Sequence, residues 1–109
     1  MRTLKFIVDG QILKPDPNCD FTGLIPGSAN YIKAEFSFSS DWNGFMKAVE
    51  FTSALGISFE PQLRADGKTC IVPVNALARR VFKIRVTGKQ GKKKMTTNKV
   101  EVVQNGGGA

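Results

Sequence analysis

Hydrophobic and polar residues alternate along most of this chain with the period of two that β-strands impose. Leu4, Phe6 and Val8 are interleaved with Lys5 and Ile7 over residues 3–8, which predicts a half-buried strand. Asp9-Gly10 follows as a tight-turn dipeptide, and Gln11 to Lys14 then completes an N-terminal hairpin. Pro15-Asp-Pro-Asn18 cannot continue a central strand, so a loop is expected there, with a second irregular stretch over residues 25–30. The clearest strand is Tyr31 to Phe38. Ile32, Ala34, Phe36 and Phe38 fall on one face, and Tyr31, Lys33, Glu35 and Ser37 fall on the other.

The second half repeats the pattern. Ser39 to Gly44 reads as a turn, Phe45 to Phe51 as a strand, and Ile57–Phe59 with Gln62–Leu63 as short strand pieces around Pro61. Asp66-Gly67 is another tight-turn signal, leading into Lys68 to Val72, which Pro73 ends. Val81 to Thr87 alternates cleanly, with Phe82, Ile84 and Val86 inward and Lys83 and Arg85 outward. Gly88 to Lys94 reads as a basic hairpin tip, and Met95 to Val103 as a single returning strand. Only Val74 to Arg80 has helical character, enough for at most one short helical turn near residues 74–80.

Short strands separated by turn signals every 8–12 residues or so are the signature of a sandwich or barrel. The expected fold is all-β: an antiparallel β-sandwich of immunoglobulin-like type. One domain is expected over residues 1–104, followed by a flexible Gly-rich tail over 105–109 with nothing to bury. A length of 109 residues suits one domain with a modest core.

Composition narrows the chemistry. The chain has no histidine, which removes the commonest general base and the commonest transition-metal ligand together. Cys19 and Cys70 alone do not make a zinc site, and two thiols in such a chain are expected to stay separate rather than bridged. Gly88-Lys-Gln-Gly-Lys-Lys superficially suggests a phosphate loop, but it lacks the Gly-Lys-Ser/Thr ending and no helix follows. Asp16 with Asp20, or Glu50 with Glu60, could be paired as carboxylates, yet no spacing brings either pair into a cleft. No catalytic residue, cofactor site, metal site or small-molecule substrate is therefore expected. No apolar run approaches the roughly 18 residues of a membrane span, and the N-terminal stretch, broken by Lys5 and Asp9, reads as a strand rather than a signal peptide.

Charge is distributed unevenly. The net charge is +7, but residues 62–99 hold eleven Lys or Arg against the single acid Asp66, a local balance of +10. Arg79, Arg80, Lys83, Arg85, Lys89, Lys92, Lys93, Lys94 and Lys99 are the candidates for binding a polyanion or a partner surface. Phosphate contact needs little more than such a patch. Selective single-strand binding would add aromatics, and Phe82, the one aromatic there, points inward. Lysines on hairpins also keep exposed sheet edges soluble and unpaired, and that plainer role outweighs the binding one. Trp42 is expected to seal the sandwich rather than stack on a ligand, and Tyr31 to sit on a wet face.

Five segments occur in a characteristic order: Tyr31 to Gly44 with its Trp-Asn-Gly corner, Lys47 to Phe51, Cys70-Ile-Val-Pro73, Phe82 to Gly88, and Thr96 to Val102. Over residues 31–103 this arrangement resembles a small β-domain of tail, baseplate and minor structural proteins of phages and prophages of Gram-positive bacteria. The resemblance implies structural roles: Trp42 and Phe51 as core, Pro73 as strand terminator, Gly88 as turn. It implies a non-enzymatic structural or adhesion module, a virion component made in the host cytoplasm, whose partners are copies of itself or other virion proteins. The alternative is a small basic binding protein, a phage accessory effector acting non-specifically on nucleic acid or on an acidic protein surface. The Lys92–Lys94 tip is more basic than the resemblance would lead one to expect.

Overall fold

A computed structural model of the chain describes residues 1–61, 63 and 67–104. The expected Gln62–Leu63 strand piece, the Asp66-Gly67 turn and the 105–109 tail involve residues outside those described. Among the described residues there are nine strands: β1 (Arg2–Asp9), β2 (Ile12–Pro15), β3 (Ile32–Phe38), β4 (Met46–Ser53), β5 (Ser58–Phe59), β6 (Thr69–Ile71), β7 (Val81–Gln90), β8 (Lys93–Thr96) and β9 (Val100–Val103). A 3-10 turn spans Ser40–Trp42, and one α-helical turn, α1, spans Val74–Leu77 within the predicted window, the single one among the described residues.

The strands form two packed sheets, an all-β sandwich. One sheet has the order β2-β1-β3-β6 and the other β5-β4-β7-β8, with β9 also pairing β7. Leu4, Phe6 and Val8, Ala34 and Phe36, Val49 and Phe51, and Phe82, Ile84 and Val86 line the space between them, all essentially inaccessible to water. These are the inward positions that the period-two pattern selects. Phe38 is the exception on its face: it stays half-buried at the sheet end, beside Trp42.

Among the described residues one pairing is parallel: β1 lies beside β3 from Arg2–Ile32 to Val8–Phe38. Parallel neighbours need a crossover of a dozen or more residues, and β2 with the loop over residues 16–31 supplies it. That loop is tethered to β1. The Arg2 guanidinium donates to the carbonyl of Asp20 at 3.0 Å and to that of Thr22, and Asp16 N donates to Lys5 O at 2.9 Å. It also contributes core: Leu24 is buried, and the Phe21 ring meets Phe6 edge-on at 5.4 Å.

The strand expected over residues 95–103 is broken in two. Thr97 N still donates to Val86 O at 3.0 Å, but the return bond from Val86 N goes to the Thr97 hydroxyl, also at 3.0 Å. A side chain has replaced a backbone carbonyl, so the ladder lapses between β8 and β9. The freed Asn98 turns its amide onto the outer edge of β2, accepting from Leu13 N at 2.8 Å and donating to Leu13 O at 3.0 Å. Gln11 adds a bond to Thr96 O at 3.1 Å. The two sheets are thus stitched together along this seam, and the edge of β2 is covered.

Gly88 is not the turn residue that the resemblance implies. It lies inside β7, opposite Lys47 of β4, and the reversal comes later, at Gly91-Lys92 between the paired Gln90 and Lys93. Gly88 is small because Trp42 packs against it: a Cβ there would lie 2.7 Å from the indole Cζ3. The Trp42 Nε1–H donates to Gly10 O at 2.8 Å, and the ring is fully buried. Gly10 holds a left-handed φ of 57° at the first position of the β1–β2 turn, which presents that carbonyl inward. Gly88→Ala is accordingly expected to destabilise the fold by about 1–3 kcal/mol through overpacking, read as a lower urea midpoint with an unchanged slope.

Candidate functional site

β7 carries the candidate cations to three places. Arg79 and Arg80 sit on the exposed link between α1 and β7. Lys83, Arg85 and Lys89 face outward along β7, and Lys92 to Lys94 occupy the β7–β8 turn and the start of β8. At about 3.4 Å per residue, the ten residues of β7 separate the two ends by roughly 30 Å. The nine residues therefore do not form one patch. Lys99 lies beside Lys83, both lining a shallow depression with Thr52 and Val81.

Register shows which charges on the outer face of this sheet are compensated. Glu50 stands opposite Arg85, with a 2.9 Å ion pair between them. Lys83 is flanked by Glu101 across the β7–β9 pairing. Nearest the turn, Lys89 stands between Met46 on β4 and Lys94 on β8, and that row contains no acid. Lys89, Lys92, Lys93 and Lys94 are all exposed and have no ion-pair partner among the described residues.

Several exposed apolar side chains lie at the opposite pole, whereas Met46 (81% exposed) sits beside Lys89 and Ile12 (62%) at the β1–β2 turn. Leu55 (65% exposed) and Ile57 (54%) line a groove with Phe59, Ala78 and Arg79 next to α1, whose first residue, Val74, is 50% exposed. Tyr31, at the start of β3, and Val103, at the end of β9, are exposed at the same end. Gln104 builds this pole from beneath: its buried amide donates to Leu77 O at 3.2 Å, which also accepts from Gly27 N at 2.8 Å, and to Arg79 O at 2.8 Å just beyond α1. Sequence reasoning passed over both Gln104 and this apolar pole. Single apolar residues in turns carry no periodic signal, and only the fold gathers them.

The carboxylates considered as pairs are otherwise engaged. The Asp16 carboxylate accepts from Asn18 N at 2.9 Å within its own turn. Asp20 accepts from the Thr22 hydroxyl and amide, and these bonds hold its carboxyl below the ordinary value. Glu50 and Glu60 do line one depression, but Glu50 is committed to Arg85. Among the described residues no three His, Cys, Asp or Glu side chains converge as a metal site would require. No helix is long and apolar enough to cross a membrane among them either. No protein-family model matches the sequence, and no curated protein matches it.

Both thiols are free, Cys19 half-buried beside Lys5 N and Cys70 in the core. Burial pushes the Cys70 thiol up to about 12 from an ordinary 9.0. The folded state therefore holds a proton that the unfolded chain releases above pH 9, so stability is lost as pH rises from about 9 to about 12. Cys70→Ala should flatten that part of the stability curve, and at pH 8 a thiol reagent should label Cys19 while reaching Cys70 only after unfolding.

Proposed function

We propose that this protein is a non-enzymatic structural or adhesion module of a phage or prophage particle, assembling with copies of itself or with other virion proteins. The observation that carries the reading is the apolar pole around α1. Leu55, Ile57 and Val74 are each at least half exposed, next to the half-buried Phe59, on a scaffold whose core is otherwise closed. Exposed apolar groups gathered at one place mark contact surfaces. The resemblance over residues 31–103 supplies the setting, and three of its residues occupy the positions it implies. Trp42 and Phe51 are fully buried, and Pro73 follows β6 directly before α1.

The catalytic alternative has less behind it. Carboxylates that hold turns or pair with arginine are not free for proton transfer, and a hydroxyl or thiol here has no histidine to activate it.

On this reading the chain is present in stoichiometric amount in gradient-purified particles, detectable by mass spectrometry. Its absence from particles, when the lysate contains it, would sink the proposal. A Leu55→Asp, Ile57→Asp variant should leave unfolding within about 0.5 kcal/mol of the parent, because both side chains are exposed. The same variant should weaken assembly at least tenfold, as loss of an apolar anchor does.

A further inference from the structure

We infer that the β7–β8 hairpin is a binding site for the phosphate backbone of duplex nucleic acid, formed by Lys89, Lys92, Lys93 and Lys94. The inference is separate from the assembly role and uses the other end of the molecule.

On the outer face of the β4–β7–β8/β9 sheet, Arg85 is ion-paired with Glu50, and Lys83 has Glu101 as its cross-strand neighbour. That opposition of charges stops at the last row. Lys89 and Lys94 are direct cross-strand partners, and like charges placed so are destabilising in a sheet. Lys92 and Lys93 extend the positive charge around the turn. Glu60 lines the same depression as Lys89 and Lys94, so these two ammonium groups share one carboxylate outside the Glu50–Arg85 pair, and Lys92 and Lys93 add charge at the turn beyond it. Lys47 adds nothing outward, because its ammonium donates to Phe45 O and lies 5.2 Å from the centre of the Phe38 ring. A fold that only needed solubility could intersperse both signs here, as it does three rows away. Instead a repulsive pair is kept at the tip, where an anion would relieve it.

The chemistry of the surface selects the anion. Protein interfaces are depleted in lysine and enriched in aromatic residues, whereas this tip is lysine-rich and Met46 is its exposed apolar neighbour. Single-stranded nucleic acid is held by stacking on aromatic rings. Phe45 here is half-buried against Trp42, and the exposed Tyr31 belongs to the other pole. What remains is a cluster of compact point charges, suited to duplex phosphates and blind to base sequence.

The test is fluorescence anisotropy with a labelled short duplex DNA, titrated with the full chain from 50 to 200 mM salt. Four phosphate contacts predict a slope of about −3.6 in log affinity against log salt, hence a roughly 100-fold loss over that range. Replacing Lys89, Lys92, Lys93 and Lys94 by alanine should weaken binding at 50 mM salt at least tenfold and remove most of the slope. Arg79→Ala with Arg80→Ala should stay within about twofold of the parent, since those charges lie at the far end of β7. Lys94→Glu adds an independent readout: it should raise the melting temperature by pairing with Lys89 while weakening DNA binding, and this single variant stands in should the quadruple one not fold. Undetectable binding at 50 mM salt, an arginine variant as impaired as the lysine variant, or Lys94→Glu binding as the parent does would each overturn the inference. So would competition by polyglutamate as effective as by unlabelled duplex, which would make an acidic protein surface the ligand.

Discussion

The packing of Trp42 against Gly88 is the contact on which the rest of this structure depends. The indole sits where the chain leaves the first sheet after β3 and enters the second at β4. It has to fill the gap between the sheets at that end, and it can do so only because β7 has no side chain at Gly88. Burying a ring of this size removes about 150–250 Å2 from water, roughly 4–6 kcal/mol at 25 cal/mol/Å2. Its N–H is satisfied by Gly10 O, so the same residue also fixes the β1–β2 hairpin over the end of the sandwich. One side chain therefore ties the sheet switch, the central strand of one sheet and a hairpin of the other.

The seam formed by Thr97 and Asn98 does comparable work along the side. By replacing one ladder bond with a hydroxyl, Thr97 frees Asn98 to bond the edge of β2. With the corner held by Trp42 and the side by Asn98, the pole around α1 and the β7–β8 tip lie away from both contacts. The α1 end carries exposed apolar side chains together with Arg79 and Arg80, the tip carries lysines beside the exposed Met46, and β7 holds the two ends apart.

Much of this architecture was legible in the sequence because it follows from local rules. Period-two alternation placed the inward faces of β1, β3 and β7, and Asp9-Gly10 marked the first turn. Trp42 and Phe51 were expected in the core and are there. Alternation, however, does not specify a strand's neighbour or its direction. The parallel β1–β3 pairing was accordingly invisible, and so was the break between β8 and β9, since Thr97 and Asn98 fit an extended strand by composition. Gly88 looked like a turn residue because its role, making room for Trp42, lies 46 positions away in the chain. The candidate site was legible only as a list of cations. Register sorted that list into paired and unpaired charges, and no local rule could have done so.

The division of labour between the two poles is the central claim, and hydrogen exchange tests it most directly. Amide exchange would be measured on the free chain and on the chain within purified particles. Assembly through the apolar pole predicts new protection over residues 54–60 and 74–80, with the β7–β8 turn unchanged. Protection centred on residues 89–94, or none at either end, would contradict it.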